Sequence, residues 1–272
     1  MPEIDFSPAA CVRLLPALTE LLAQAALAIL RLPPEALSPE LKHDSSPVTA
    51  ADKSSETIIL AGLQKLLPSF PVVSEECTVP SALGRSFVLV DPLDGTREFL
   101  AGRDEYTINL GLVQDGRAVA GLMAAPAQGL IWRGVVGHGA ERLPLTMHKG
   151  TPAVGAAVGI RSRAMQEPPT AIVSRSHPDP ASQAFLSRWQ NVASISCGSA
   201  LKFCRLAEGA ADVYPRLTPT SEWDIAAGDA LLAAAGGILV SPEGKPIAYG
   251  GPDCRVPGFI AWGDAAAAAR FG

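Results

Sequence analysis

The sequence predicts a layered fold of mixed type, α+β in its first half and α/β in its second. Three observations carry this. Apolar residues recur at helical spacing over two early segments, short β-rich segments joined by tight turns follow, and beyond about residue 155 strands alternate with helices. With 272 residues, 48% of them apolar and 18% charged, the chain can bury a large core as one compact domain or two tightly joined ones.

Over residues 8–30, Leu14, Leu15, Leu18, Leu21, Leu22 and Ala25 form a helical stripe, with Pro16 placed to delay or kink its start. Residues 17–30 are apolar-rich, but Glu20 and Gln24 interrupt them, and the segment reads as an amphipathic surface helix rather than a membrane span. After a Pro-rich break at residues 31–39, Thr49 opens a second helix through Ile58, Ile59, Leu63 and Leu66, which Pro68 ends. Pro71-Val72-Val73 is a short strand. Residues 87–90 form another, expected to stop at Asp91-Pro92, and residues 106–113, 118–124 and 129–136 make an antiparallel meander.

A Gly/Pro-rich stretch near residues 150–155 marks the change of pattern, which divides the chain into halves 1–155 and 156–272. The second half reads as strands at 171–174, 192–196 and 211–215 alternating with helices at 179–190 and 199–208. An Ala-rich helix at 223–235 follows, ended by Gly236-Gly237. Packed as layers, the halves leave a cleft where a small ligand would bind.

Composition excludes several classes. The five cysteines are odd in number, far apart and without a C-x-x-C pair, so neither a disulfide framework nor a zinc site is indicated and a reducing cytosol fits. No secretory leader pattern opens the chain, and a transmembrane segment is not expected. The net charge of −5 comes from the first half, with 12 Lys/Arg against 17 Asp/Glu, whereas the second is balanced at 10 and 10. No broad basic face is available for a nucleic-acid polymer. Trp132, Trp189 and Trp262 read as core residues, and His43, His138 and His148 as loop residues without ligand spacing.

The chemistry concentrates in acidic residues. Val90-Asp91-Pro92-Leu93-Asp94-Gly95-Thr96 ends a buried strand in two carboxylates three residues apart, which are costly to bury unpaired. A hard cation such as Mg2+, held by two carboxylates and a carbonyl, would resolve that cost; an Asx-turn is the structural alternative. Glu75-Glu76 follows a second strand. Asp52 lies at a helix start, where capping is the plain explanation, and Asp224 opens the Ala-rich helix. The backbone at Gly95-Thr96, opening a helix, would bind a phosphate oxygen. The implied chemistry is in-line attack on a phosphate by a metal-activated water.

Taken together, Asp91-Pro92-Leu93-Asp94-Gly95-Thr96, Ser74-Glu75-Glu76 and Trp223-Asp224-Ile225-Ala226-Ala227-Gly228 resemble the inositol monophosphatase superfamily of Mg2+-dependent, lithium-sensitive phosphatases. The resemblance implies an αβαβα sandwich and two or three Mg2+ ions. Ser46-Pro47-Val48-Thr49-Ala50-Ala51-Asp52, Ser174-Arg175-Ser176-His177, Leu201-Lys202-Phe203-Cys204 and Tyr214-Pro215-Arg216 are similar to its bisphosphate-nucleotidase branch. That branch hydrolyses adenosine 3',5'-bisphosphate to AMP and phosphate.

Carried over, the resemblance makes Glu75, Asp91, the Leu93 carbonyl, Asp94 and Asp224 metal ligands. Asp52 and Thr96, with Glu75, would orient and deprotonate the water. Leu93, Asp94, Gly95, Thr96 and Asp224 would meet the scissile phosphate, and Ser174, His177, Gly198 and Lys202 the nucleotide and its second phosphate. One position departs: where the branch has a second Ser in Gly-Ser-Ser-Leu-Lys, this chain has Ala200. An inositol or sugar monophosphatase and a non-catalytic interaction module are the alternatives. A homodimer and a peripheral contact with the inner membrane stay open.

Overall fold

A computed structural model describes residues 5–33, 39–41, 47–77, 83–176 and 179–271. Helix α1 (Pro8–Leu30) carries Pro16 inside it without ending there. Its stripe of Leu18, Leu22, Ala25, Ala26 and Ile29 is buried, so the one helix among the described residues that is long and apolar enough to cross a membrane is packed against the protein's own core. After the short ribbon of β1 (Glu40–Leu41) and β2 (Pro47–Val48), α2 (Ala50–Leu66) starts where Thr49 and Asp52 form a reciprocal capping box.

An eight-stranded sheet follows: β3 (Val72–Ser74), β4 (Ser86–Asp94), β5 (Thr107–Gln114), β6 (Arg117–Ala125), β7 (Leu130–Val135), β8 (Gly139–His148), β9 (Thr151–Val154) and β10 (Val158–Ile160). Its order is β10-β8-β7-β6-β5-β4-β3, with β9 also on β8; only the β3–β4 pair is parallel. Because β10 pairs with β8, this sheet extends past residue 155. The meander was legible, but β8 to β10 were not, and His148 closes a strand rather than lying in a loop.

The second sheet has the order β12 (Ala193–Cys197), β11 (Thr170–Ser174), β13 (Val213–Arg216), β17 (Phe259–Trp262), β15 (Ile238–Val240). Strand β11 is parallel to β12 and β13, and β17 is antiparallel to both neighbours. A ribbon joins β14 (Thr220–Ser221) to β16 (Arg255–Val256). Helices α1 and α2 cover the outer face of the first sheet. Between the sheets lie α5 (Leu201–Ala207) and α6 (Glu222–Ala235), and α4 (Pro180–Leu186) and α7 (Ala265–Phe271) cover the second sheet. The result is an αβαβα sandwich.

Strand β4 shows how the layers are specified. Phe87 and Leu89 enter the core shared with α6, while Val88 and Val90 enter the core under α1 and α2, the period-two signature of a strand buried on both faces. Two predicted helices are shorter than the sequence suggests. Helix α4 stops at Leu186 because i→i+3 bonds from Arg188 and Trp189 tighten the chain into turns, placing Trp189 edge-on to Phe185 and Trp262. Helix α5 begins only at Leu201 because Ser199 is left-handed, at φ 47°.

Three cross-strand partners, Gly111, Gly121 and Gly134, form a row across β5, β6 and β7 beneath α6. A Cβ at Gly121 would lie 2.0 Å from the Ala227 carbonyl oxygen, and one at Gly111 2.8 Å from the Ala226 Cβ. The helix therefore rests almost backbone on backbone against the sheet.

Candidate active site

The site starts from an irregularity in β4. Asp91 pairs with Asn109 and Asp94 with Thr107, three residues on one strand against two on the other, a bulge of one residue. In an unbroken strand, residues three apart face opposite sides. The extra residue brings Asp91 and Asp94 to the same side, and it explains why the strand continues through Pro92 instead of stopping there: a bulged residue needs no ladder N–H. The Leu93 N–H donates to Asp91 Oδ1 at 3.0 Å, so the Asx-type contact is present as well as the acidic pair.

Around this pair a cavity of about 320 Å³ is walled by Glu75, Asp91, Leu93, Asp94, Gly95 and Thr96, by Ser174, Ser199 and Lys202, and by Asp224 at the start of α6. Glu75 follows β3, whose parallel pairing sets it beside β4, with its N–H donating to the Val90 carbonyl at 3.2 Å. Four carboxylates and Leu93, the five metal-ligand candidates, thus line one cavity, contributed by three elements. Thr96 begins α3 (Thr96–Leu100), only five residues long, after Gly95 at φ 95°.

Asp52 is buried and reaches the cavity through Thr96, whose hydroxyl lies 3.3 Å from Asp52 Oδ1 and 3.4 Å from the Leu93 carbonyl oxygen. Asp52 Oδ2 accepts from the Thr49 N–H and hydroxyl, each at 2.7 Å. Capping and contact with Thr96 are therefore both made, one by each carboxylate oxygen.

Burial pushes Asp91 well above the usual carboxylate range, and Glu75, Asp94, Asp224 and Asp52 push it further. Asp94 is pushed up to about 6, by burial first and then by Asp224, against the pull of Lys202, the Ala200 N–H and Arg216. The cation-ligand chemistry fits these five candidates, since their donors are carboxylate and carbonyl oxygens, with no His or Cys among the described lining residues. Opposite the two β4 carboxylates, Asn109 and the Thr107 hydroxyl are buried without a protein partner, as polar atoms are where water or a hydrated cation completes the bonding. Among the described residues the carboxylates do not stand as a ready-made metal cluster. Each of three turns one oxygen to a local donor: Asp91 to Leu93, Asp94 to the Ala200 N–H, Asp224 to the Thr220 hydroxyl.

Lys202 also lines the cavity and is only 3% exposed, with its ammonium donating to the Ser199 carbonyl and standing 5.1 Å from the centre of the Tyr214 ring. Ser174, at the end of β11, lines it as well. His177 lies outside the described residues. Gly198 is placed differently from expectation: its N–H donates to Glu105 Oε2 at 2.9 Å, and it is not on the cavity wall. The Ala200 N–H is taken by Asp94 and the Leu201 N–H by the Ser199 hydroxyl, so the start of α5 offers side chains to a ligand, not these amides. Sequence reasoning assigned no role to Arg97, Arg216, Trp223 and Arg255, which also line the cavity. Only the Tyr214-Pro215-Arg216 run carried a signal for any of them beyond the metal motifs.

The sequence model of the inositol monophosphatase family matches residues 13–270. The chain is 38% identical over 211 residues to the 3'(2'),5'-bisphosphate nucleotidase CysQ of Escherichia coli K12, covering 76% of this chain and 81% of that protein. Among solved structures, CysQ from Bacteroides thetaiotaomicron superposes with a TM-score of 0.74 at 32% identity, over 90% of this chain and 95% of that one. A Thermotoga maritima IMPase superposes at 0.72 and 22% identity, over 93% of each, and shares the fold alone. Fold, acidic cavity and relatives define a phosphatase, of the hydrolase class. The chain belongs to the inositol monophosphatase family.

Proposed function

We propose that this phosphatase removes the 3'-phosphate of adenosine 3',5'-bisphosphate, yielding AMP and phosphate, with Mg2+ as its cofactor in two or three sites. The observation that carries the reading is that one cavity is lined both by the carboxylates Glu75, Asp91, Asp94 and Asp224 and by the cations Lys202 and Arg216. A substrate with two phosphates has a use for both sets of groups. An inositol monophosphate has one phosphate and a neutral ring, and brings no second anion to Lys202 and Arg216. The similarity to proteins named 3'(2'),5'-bisphosphate nucleotidase supports the same choice.

Glu75, Asp91, the Leu93 carbonyl, Asp94 and Asp224 would hold the cations. Bound there, Mg2+ would supply positive charge against the phosphate and the leaving oxygen and acidify a coordinated water. The chain's own part is to position and to take a proton. The Thr96 hydroxyl, with Asp52 behind it, accepts the proton of the attacking water as it passes its own to Asp52 Oδ1, and Thr49 steadies the other Asp52 oxygen. Gly95 and Thr96 meet the scissile phosphate through backbone; Ser174, Lys202 and the segment around His177 hold the nucleotide and its 5'-phosphate. Five unpaired cysteines accord with a cytoplasmic location.

Phosphate release with Mg2+ at neutral pH, from adenosine 3',5'-bisphosphate and inositol 1-phosphate at equal low concentration, tests the reading. Preference for the nucleotide is expected; preference for the inositol ester refutes it. Lithium inhibition, typical of the family, is expected in the same assay.

A further inference from the structure

Two carboxylates tie the two sheets together at the cavity, Glu98 on its lining and Glu105 just outside it. Glu98, on α3, is 3% exposed and accepts from the Ser176 hydroxyl, in the loop that follows Ser174. Glu105, just before β5, accepts the Gly198 N–H at 2.9 Å and forms a two-pronged ion pair with Arg175 at 2.7 and 2.8 Å. Arg175 in turn donates to the Ser196 carbonyl on β12 at 2.7 Å.

The contact is close enough to exclude side chains. A Cβ on Gly198 would lie 2.6 Å from Glu98 Cγ and 2.9 Å from the Glu105 carbonyl oxygen. One on Gly95 would lie 3.1 Å from Ser199 Cβ and 3.2 Å from the same carbonyl. The loop carrying Gly95 and Thr96 is thus wedged against the loop carrying Ser199 and leading to Lys202. The wedge is set by Glu98 and Glu105, which lie on the chain between the metal-site loop and β5.

We propose that Glu105 is a positioning residue that, with Glu98 bracing the same contact, fixes the distance between the loop of Gly95 and Thr96 and the loop leading to Lys202, and so sets the affinity for a substrate with two phosphates; this rests on the reading above. Glu105 does not line the cavity. Both act through Ser176, Gly198 and Arg175, whose loops bring Ser174 and Lys202 to the cavity. A glutamate here selects for the span between the phosphates without changing the chemistry at either.

The test is steady-state kinetics on adenosine 3',5'-bisphosphate for Glu105→Ala and Glu105→Gln, with Mg2+ binding measured by calorimetry on the same preparations. Glu105→Ala is expected to raise KM at least tenfold, with kcat and Mg2+ affinity changed less than twofold. Glu105→Gln, whose amide oxygen still accepts from Gly198, should recover most of the loss. An unchanged KM, or a parallel fall in kcat and Mg2+ affinity, overturns the proposal. A parent enzyme active on inositol 1-phosphate alone overturns the substrate reading instead, and amide exchange then decides. Exchange at Gly198 and Ala200 in Glu105→Ala should quicken at least tenfold while β4 stays protected, and unchanged exchange there overturns the clamp.

Discussion

Asp91 sets function against stability within a single side chain. It is 1% exposed, crowded by four other carboxylates and pushed toward its neutral form. Replacing it by Asn removes a charge that the fold struggles to bury. Asp91→Asn should therefore raise the melting temperature in EDTA while lowering phosphate release at least a hundredfold, and calorimetry beside the activity assay checks both. Asp94, at about 6, adds a pH effect. With Asp94 in the proposed ligand role, a proton competes with Mg2+ below that value, so the apparent Mg2+ affinity should fall at least about tenfold per pH unit under pH 6, measured by titration from pH 5 to 8. The four acidic residues were legible because each sits where the sequence predicts that a strand ends or a helix begins. Glu98 and Glu105 were not, since single carboxylates in a charged segment read as solvated; only the fold reveals that they meet Gly198 and Ser176.

At the scale of elements, α6 positions Asp224, and the glycine row positions α6. A methyl at Gly121 meets a backbone carbonyl at 2.0 Å, which cannot move without the helix. Gly121→Ala should cost about 1–3 kcal/mol in denaturant unfolding and weaken Mg2+ binding through a displaced Asp224. Gly62→Ala is the control: its methyl meets the Leu21 Cδ1 at 2.3 Å and Cδ2 at 2.8 Å, side-chain atoms rather than backbone. It should cost less than half as much and leave Mg2+ binding unchanged. Helices α1, α2 and α6 and the meander were readable from period and turn chemistry. Strand β4 was misjudged at Pro92 because a bulge is a property of two strands, and no single-strand pattern contains it. Strands β15 and β17 escaped because strands of three and four residues carry too little periodicity.

Across the whole molecule, the sandwich is tied by buried carboxylates outside the cavity as well. Glu222 accepts the Gly250 and Gly251 N–H groups, and Asp229 accepts the Tyr249 hydroxyl at 2.8 Å, fastening that segment to α6. Desolvation lifts Asp229 to about 7, against the pull of Tyr249 and Arg117. The unfolded chain gives up this proton first, near pH 4. The contribution of Asp229 to stability is therefore complete below about pH 4 and is lost as pH rises toward 7. In metal-free protein the melting temperature should fall over that interval, and fall less in Asp229→Asn; scans at pH 5, 6, 7 and 8 measure it.

The docking of α6 on the glycine row has a consequence in time. The row lies on strands more than a hundred residues earlier in the chain, and Asp224 meets Asp91 and Asp94 only once that distant contact closes. Contacts of such sequence separation close late. A refolding chain should regain its helical and sheet signals first and its catalytic competence afterwards, in the phase when the second half seats on the first.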